Sequence, residues 1–368
     1  MRVFNHLFKK NDARGVLPNS FPSQDIFILT CRFVCVNSKD EIVAAMNREG
    51  DAHPPAIFSQ SGTVPMMDAC GCCWPEANFD IDMMIKLALQ PSELFGFATA
   101  RVPFDITAEA ERLGCEIMPG RKYSQPAAVG SPYRVPDDIM DPPDFMSVDE
   151  FLSGGRVRMY IEAAGKLSKE HPDLFVTSGM VGPMLVASLL TGMENYMMAM
   201  LMCPDRCLEW VKMMTPYQCA YAEALSEASD NVFVITEGSE DTQSSATFDT
   251  FVRPYQTRLQ SSIRHSFSTV HSCGETKRVL EDLASLGGTA LSVETSGDPQ
   301  GIFDRLSDKT ILVGGVQPVR CLLQGTPEDV RASAKRYAEI GYPVIMPECG
   351  VPPMTPNENL YALAHYRD

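Results

Sequence analysis

From residue 38 onward, short apolar runs alternate with stretches whose apolar positions recur every three or four residues. "SKDEIVAAMNREG" (38–50) predicts an amphipathic helix, with Ser38 as N-cap and Glu41 at the spacing of a capping box. "PAIFSQ" (55–60) predicts a strand and "FDIDMMIKLALQ" (79–90) a helix. "LFGFATARVPFD" (94–105) predicts a strand and its outgoing loop, followed by helical "TAEAERLG". Residues 119–150 are rich in proline and aspartate and predict an excursion or lid. "DLFVTSGMVGP" (173–183) gives another strand and loop, and a long helix follows over residues 204–228.

The last third is the most regular. "NVFVITEG" (231–238), "FSTVHSCG" (267–274), "TALSVET" (289–295), "TILVGGVQP" (310–318) and "YPVIMPECG" (342–350) are five apolar strands. Helical patterns separate them, such as "TKRVLEDLASLG" (276–287) and "TPEDVRASAKRYAEIG" (326–341). Continuously apolar strands alternating with helices imply a parallel sheet buried on both faces. Eight or so such units favour an α/β fold closed as a (β/α)8 TIM-type barrel over residues 38–368. No G-x-G-x-x-G follows the first strand, which disfavours a dinucleotide-binding sheet. Residues 1–37 resemble nothing that follows and read as a separate N-terminal extension.

In such a barrel, functional residues gather at the C-terminal ends of the strands. There the apolar runs give way to His271-Ser272-Cys273, to Glu294, to Glu348-Cys349 and to Glu237. His271 and Cys273 stand two apart on extended backbone and share a face, with Ser272 a spacer facing away. Cys349 supplies a third ligand from another strand, and Glu294 can fill a fourth position when substrate is absent. Two thiolates, one neutral imidazole and one exchangeable position fit an open zinc site. Two thiolates bring Zn²⁺ close to neutral, so a substrate thiol that loses its proton there stays electron-rich. Sulfur-rich ligation therefore points to thiol activation rather than hydrolysis.

Composition narrows the partners. A net charge of −16 disfavours nucleic acid and anionic membrane surfaces. The twelve cysteines are sparse for so long a chain, and most sit in apolar patterns as reduced thiols. With no signal peptide at its start, the chain is expected in a reducing cytoplasm. The apolar stretch 180–203 is interrupted by Pro183, Gly192, Glu194 and Asn195 and predicts two buried segments with a turn near Thr191-Gly192, not a membrane span. Cys70, Cys72 and Cys73 form the densest thiol group but lack a compact four-ligand spacing, so a loop near the barrel mouth is expected.

"TVHSCGET", "LSVET", "LVGGVQP" and "MPECGVPPMTPNENLYAL" resemble the methylcobalamin:coenzyme M methyltransferases, a branch of the uroporphyrinogen decarboxylase superfamily. "WPEANFDIDMMIKLA", "ARVPFDITAEAERLGCEI" and "VGPMLVASLLTGMEN" agree, and the similarity spans about residues 38–368. The resemblance implies a (β/α)8 barrel whose zinc ligands match His271, Cys273 and Cys349, with Glu294 at the position of an acidic residue displaced by substrate. It implies methyl transfer: coenzyme M binds zinc through sulfur, and the thiolate attacks the methyl group of a methylated corrinoid carried by a partner protein. Arg101 would attract the sulfonate of coenzyme M, unless it pairs with Asp105 or a helix, and Glu237 would line the pocket or cap a turn. Gly315 stands where relatives commonly have asparagine, and Gly238 where they often have proline.

Three alternatives follow from the same residues. A porphyrinogen decarboxylase needs no metal and an acidic residue at the second strand, but Asp105 falls beyond Pro103 and the thiols would have no purpose. A corrinoid carrier would use "DAHPPA" (51–56), where Ala56 replaces a glycine and His53 is expected in an exposed loop. Methyl transfer to a thiol other than coenzyme M would use the same zinc logic.

Overall fold

The computed structural model describes residues 37–135, 138–237, 244–295 and 297–368. All of the proposed extension except Asn37 lies outside the described residues, as does Gly238.

Seven parallel strands run in sequence order around one sheet: β1 (Thr99–Val102), β2 (Phe175–Val181), β3 (Asn231–Ile235), β4 (Phe267–Ser272), β5 (Ala290–Val293), β6 (Ile311–Val316) and β7 (Val344–Pro347). The segment 55–58 closes the barrel between β7 and β1. It meets β7 through Ala56 N–H to Ile345 O (2.9 Å) and Ile345 N–H to Pro54 O (3.1 Å). Toward β1, side chains replace the backbone ladder: Thr99 Oγ1 accepts from Ile57 N–H (3.3 Å), and Arg101 Nε donates to Phe58 O (2.8 Å). The eighth stave predicted from "PAIFSQ" is therefore present but irregular, because Arg101 holds a carbonyl that a regular ladder would give to backbone.

Alternation along the strands sorts the interior from the exterior. Phe58 stacks on Phe175 (5.2 Å), which stacks on Phe267 (6.1 Å) across three staves. One level up, Asn231 bonds to both Thr177 (3.5 Å) and Thr269 (3.1 Å), satisfying a buried polar layer. Helix α1 (Lys39–Met46) plugs the N-terminal end with Ile42, Ala45 and Met46, which share one apolar cluster with Phe58, Phe175 and Phe233. Ser38 Oγ caps α1 through Glu41 N–H (3.2 Å). The predicted capping box is only half formed, because the Glu41 carboxylate pairs with Arg367 (3.0 Å). The reciprocal box occurs instead at Thr326 and Asp329.

The helix predicted over 276–287 is shorter than expected, Leu280–Ala284. The segment 180–203 forms α2 (Pro183–Thr191) and α3 (Met193–Met202), bent by 105° at Gly192. Among the described residues no single helix is long and apolar enough to cross a membrane, although this bent pair passes by length and composition. Contrary to the expected burial, α3 exposes Met193, Met198, Leu201 and Met202. The predicted lid is strapped down where it is described. α4 (Pro204–Ala228) holds it through Trp210 Nε1 to Met140 O (2.7 Å) and Tyr217 OH to Met146 O (2.5 Å), with Phe145 edge-on to Trp210.

Candidate metal centre

On β4, Phe267, Thr269 and His271 share the inward face and Val270 packs outward. His271 and Cys273 emerge on one face, as period-two spacing requires, and Cys349 approaches from beyond β7. His271 Nε2 lies 3.2 Å from Cys273 Sγ, and Cys273 Sγ lies 3.4 Å from Cys349 Sγ. One ligand atom from each of the three falls within 4.8 Å of the others. In a zinc tetrahedron with the usual bond lengths, S···S and S···N edges are about 3.8 and 3.6 Å. The trio therefore needs to open by only a few tenths of an ångström to hold zinc. Among the described residues it is the only such His/Cys/Asp/Glu group.

The imidazole is fixed from three sides. His271 Nδ1 faces Ser292 Oγ (3.0 Å) and Ser292 O (3.2 Å), so that nitrogen carries the proton and Nε2 turns its lone pair to the thiols. Phe233 stacks on the ring at 5.0 Å. The His271 carbonyl accepts from Thr236 N–H (2.8 Å). The strand register pairs His271 with Ile235 on one side and Ser292 on the other.

The two thiols shift each other in opposite directions. Cys349 is pulled down to about 4, chiefly by the hydrogen bond from Cys273 and against the opposing effect of burial. Cys273 is pushed far up by that same hydrogen bond, by burial, and by the negative charges of Cys349 and Glu294. The lowered thiol, Cys349, is half-buried at the rim beside the exposed Cys273. Glu294 accepts from Gly274 N–H through Oε1 (3.0 Å), which places its carboxylate beside the trio's loop. Ser272 is buried with Oγ unpartnered, consistent with a spacer.

Other predicted residues separate into distinct settings. Arg101 is buried inside the barrel, bonded to the carbonyls of Phe58 and Pro103, with its guanidinium over Phe233 (5.8 Å), the ring that stacks on His271 from the neighbouring stave. Burial lowers it to about 9, with Asp105 pulling it back up. No ion pair to Asp105 forms. Asp105 instead receives Arg156 (2.6 Å), Tyr160 OH (2.6 Å) and both Thr107 N–H (2.7 Å) and Thr107 Oγ1 (2.9 Å). Glu237 has both carboxyl oxygens buried without a hydrogen-bond partner, and burial raises it to about 8. It does not cap a turn through its side chain.

The thiols of Cys70, Cys72 and Cys73 turn to backbone carbonyls of Met67, Cys70 and Met67 at 3.9, 3.7 and 3.8 Å, so they close a helix end and do not converge on an ion. His53 is half-buried, not in an exposed loop, with Nδ1 at 2.7 Å from Tyr342 O. It lines a cavity of about 270 Å³ with Ala45, Phe303 and Ile311 at the N-terminal end of the barrel, away from the metal trio. Sequence patterns did not single out Ser292 or Phe233; the signal available for Ser292 was a polar residue on the inward period of an otherwise apolar strand.

The uroporphyrinogen decarboxylase (URO-D) family model matches residues 37–368. A methylcobamide:CoM methyltransferase, MtaA, of Methanosarcina barkeri is 34% identical over 90% of this chain and 97% of its own length. MtbA, a methylcobamide:CoM methyltransferase of Methanosarcina acetivorans, is 31% identical over 88% of this chain and 95% of its own. The solved structure of a methyltransferase from Methanosarcina mazei superposes with a TM-score of 0.82 at 33% identity, covering 90% of this chain and 98% of that one. The barrel, the family model and these full-length relatives agree: the chain belongs to the uroporphyrinogen decarboxylase family, in the company of its methylcobamide:CoM methyltransferases.

Proposed function

We propose that this chain is a zinc-dependent methyltransferase that moves a methyl group from a methylated corrinoid to the thiol of coenzyme M. The observation that carries the proposal is the convergence of one imidazole and two thiols within 4.8 Å at the barrel's C-terminal rim. Zinc held by His271, Cys273 and Cys349 would act as a Lewis acid that lowers the pKa of an incoming thiol and fixes its position.

The chain's own residues then have separable tasks. Cys273 and Cys349 supply two negative charges that nearly neutralise a divalent ion, so an acceptor sulfur keeps its electron density. Ser292 and Phe233 hold the His271 ring in one tautomer and one orientation. Glu294, whose carboxylate accepts from Gly274 N–H, would be the exchangeable oxygen donor that an acceptor thiol could replace. Arg101 puts a positive charge within the barrel beneath the trio, the sign needed to attract a sulfonate. Glu237 follows β3, whose residue Ile235 is level with His271, and contributes a neutral acid to the pocket wall near pH 7. The methylated corrinoid arrives on a partner protein and is the second substrate.

The relatives' names specify methylcobamide and CoM, and the donor set matches thiol activation. A decarboxylase would leave the thiols without a task, and Asp105 is already committed to Arg156. The test incubates zinc-loaded protein with methylcobalamin and coenzyme M and follows cobalamin demethylation optically. Turnover with coenzyme M is expected. Turnover with another thiol alone would change the acceptor, and no turnover with any thiol would overturn methyl transfer.

A further inference from the structure

We infer that Tyr337, Thr295 and Glu348 form a strut that sets the geometry of the metal trio, with all three as positioning residues. The inference rests on the metal site proposed above; the sequence marks Glu348 only as the polar end of an apolar strand and gives Tyr337 and Thr295 no role.

Glu348 immediately precedes Cys349, and Thr295 immediately follows Glu294. Their side chains meet: Thr295 Oγ1 donates to Glu348 Oε1 at 2.8 Å. Tyr337 OH donates to the same oxygen at 2.6 Å and lies 2.5 Å from Thr295 Oγ1. Three oxygens thus form one compact triangle. It joins the loop after β5 to the loop after β7, each one residue from a proposed ligand. Tyr337 anchors the triangle to α5 (Pro327–Ile340), which packs outside the barrel against β6 and β7. All three residues are buried.

Gly315 lies on β6 beside the strut. At φ +142, Gly315 has a conformation that side-chain-bearing residues rarely adopt, and a Cβ there would stand 3.1 Å from Ile345 Cγ2 and 3.5 Å from Tyr337 Cβ. Glycine lets β6 pass close to the Ile345 side chain on β7. The Glu348 backbone N–H is itself pinned to Val316 O (3.0 Å). Cys349 therefore projects from a residue held on both its backbone and its side chain.

A general stabilising role would not demand that both ends of the triangle abut ligand-bearing residues. A ligand-setting role does, because partners behind a metal ligand govern its orientation and commonly change metal affinity by about 10–100-fold. Nothing in the triangle needs to touch substrate.

The test uses the full chain with Tyr337→Phe, Thr295→Val and Thr295→Ser. Zinc affinity is read by competition with a chromogenic chelator. Cobalt(II) in place of zinc reports ligand geometry through its visible bands. Tyr337→Phe and Thr295→Val are expected to bind one equivalent of metal with about 10-fold lower affinity and shifted cobalt bands, while Thr295→Ser restores both by returning the hydroxyl. Wild-type affinity and unchanged cobalt bands in both altered proteins would overturn the strut, whatever their thermal stability. Should Tyr337→Phe fail to fold, the Thr295→Val and Thr295→Ser pair decides on the same two readouts. A wild-type protein that took up neither metal would sink the metal site and the strut together; wild-type binding with equal variants would sink the strut alone.

Discussion

Two polar groups near the C-terminal side of the barrel invite comparison, Asp105–Arg156 and His271–Cys273–Cys349. Around Asp105, four hydrogen bonds converge on the two carboxylate oxygens. Arg156 is further bonded to Glu111 (2.5 Å) and Thr107 (2.8 Å), and Phe79 covers it (4.7 Å). That network closes on itself. The metal trio is anchored from behind by Ser292, while its ligand atoms point at one another, with Cys273 open to solvent. Closed polar networks rigidify a fold. Convergent donors whose mutual contacts are only two thiols and an imidazole retain capacity for an ion. The difference separates an acid that maintains the structure from thiols to which the proposal assigns the chemistry.

The comparison breaks most visibly at Cys349. Cys349→Ala should remove zinc, measured by elemental analysis, and lower methyl transfer on the order of 10⁴-fold, since both thiolate formation and positioning are lost. The fold should survive, because the residue is a half-buried thiol at the rim. Arg156→Met should behave in the opposite way. It strands Asp105 as a buried unpaired charge, at a cost of about 3–5 kcal/mol in urea unfolding, while the folded fraction keeps one equivalent of zinc. Loss of zinc from folded Arg156→Met would show that the two groups are not separable.

Ser292→Ala sharpens the contrast within the trio's own support. It should weaken zinc binding about 10-fold in chelator competition and change unfolding free energy by only about 1 kcal/mol. A pH-dependent effect concerns Glu237. Its carboxyl is raised by burial to about 8 from 4.5, so the folded state keeps a proton that the unfolded chain has released. Stability should therefore fall as pH rises from about 4.5 to 8 and level off above. Glu237→Gln should flatten that decline in urea midpoints compared between pH 5 and pH 9. Some slope should persist, because Glu109, raised to about 7 by burial, acts in the same direction.

Much of this was legible in the chain because it is periodic. The apolar strands of the last third locate β3 to β7, and period-two spacing places His271 and Cys273 on one face. Cys349 was found because the same apolar-to-reactive transition recurs at another strand end. What the sequence leaves illegible depends on distant partners. "PAIFSQ" reads as a strand, yet Arg101 intrudes on its pairing from β1. Glu41 has capping-box spacing, yet Arg367 from the chain's end takes its carboxylate. Arg101 and Asp105 look like partners four residues apart, but Arg156 approaches Asp105 from another helix. Ser292 and Tyr337 acquire their places only once strands and helices pack. Local spacing encodes which face a residue occupies; competition among far-apart side chains decides its partner.

The most direct test is zinc-edge X-ray absorption on the zinc-loaded protein before and after coenzyme M. Sulfur scatterers at about 2.3 Å should number two in the free protein, with nitrogen and oxygen completing the shell. They should rise to three with coenzyme M as the Glu294 oxygen is lost. An unchanged sulfur count on adding a saturating thiol, or a free protein whose zinc has no sulfur neighbours, would contradict the assignment of His271, Cys273 and Cys349 as a thiol-activating centre.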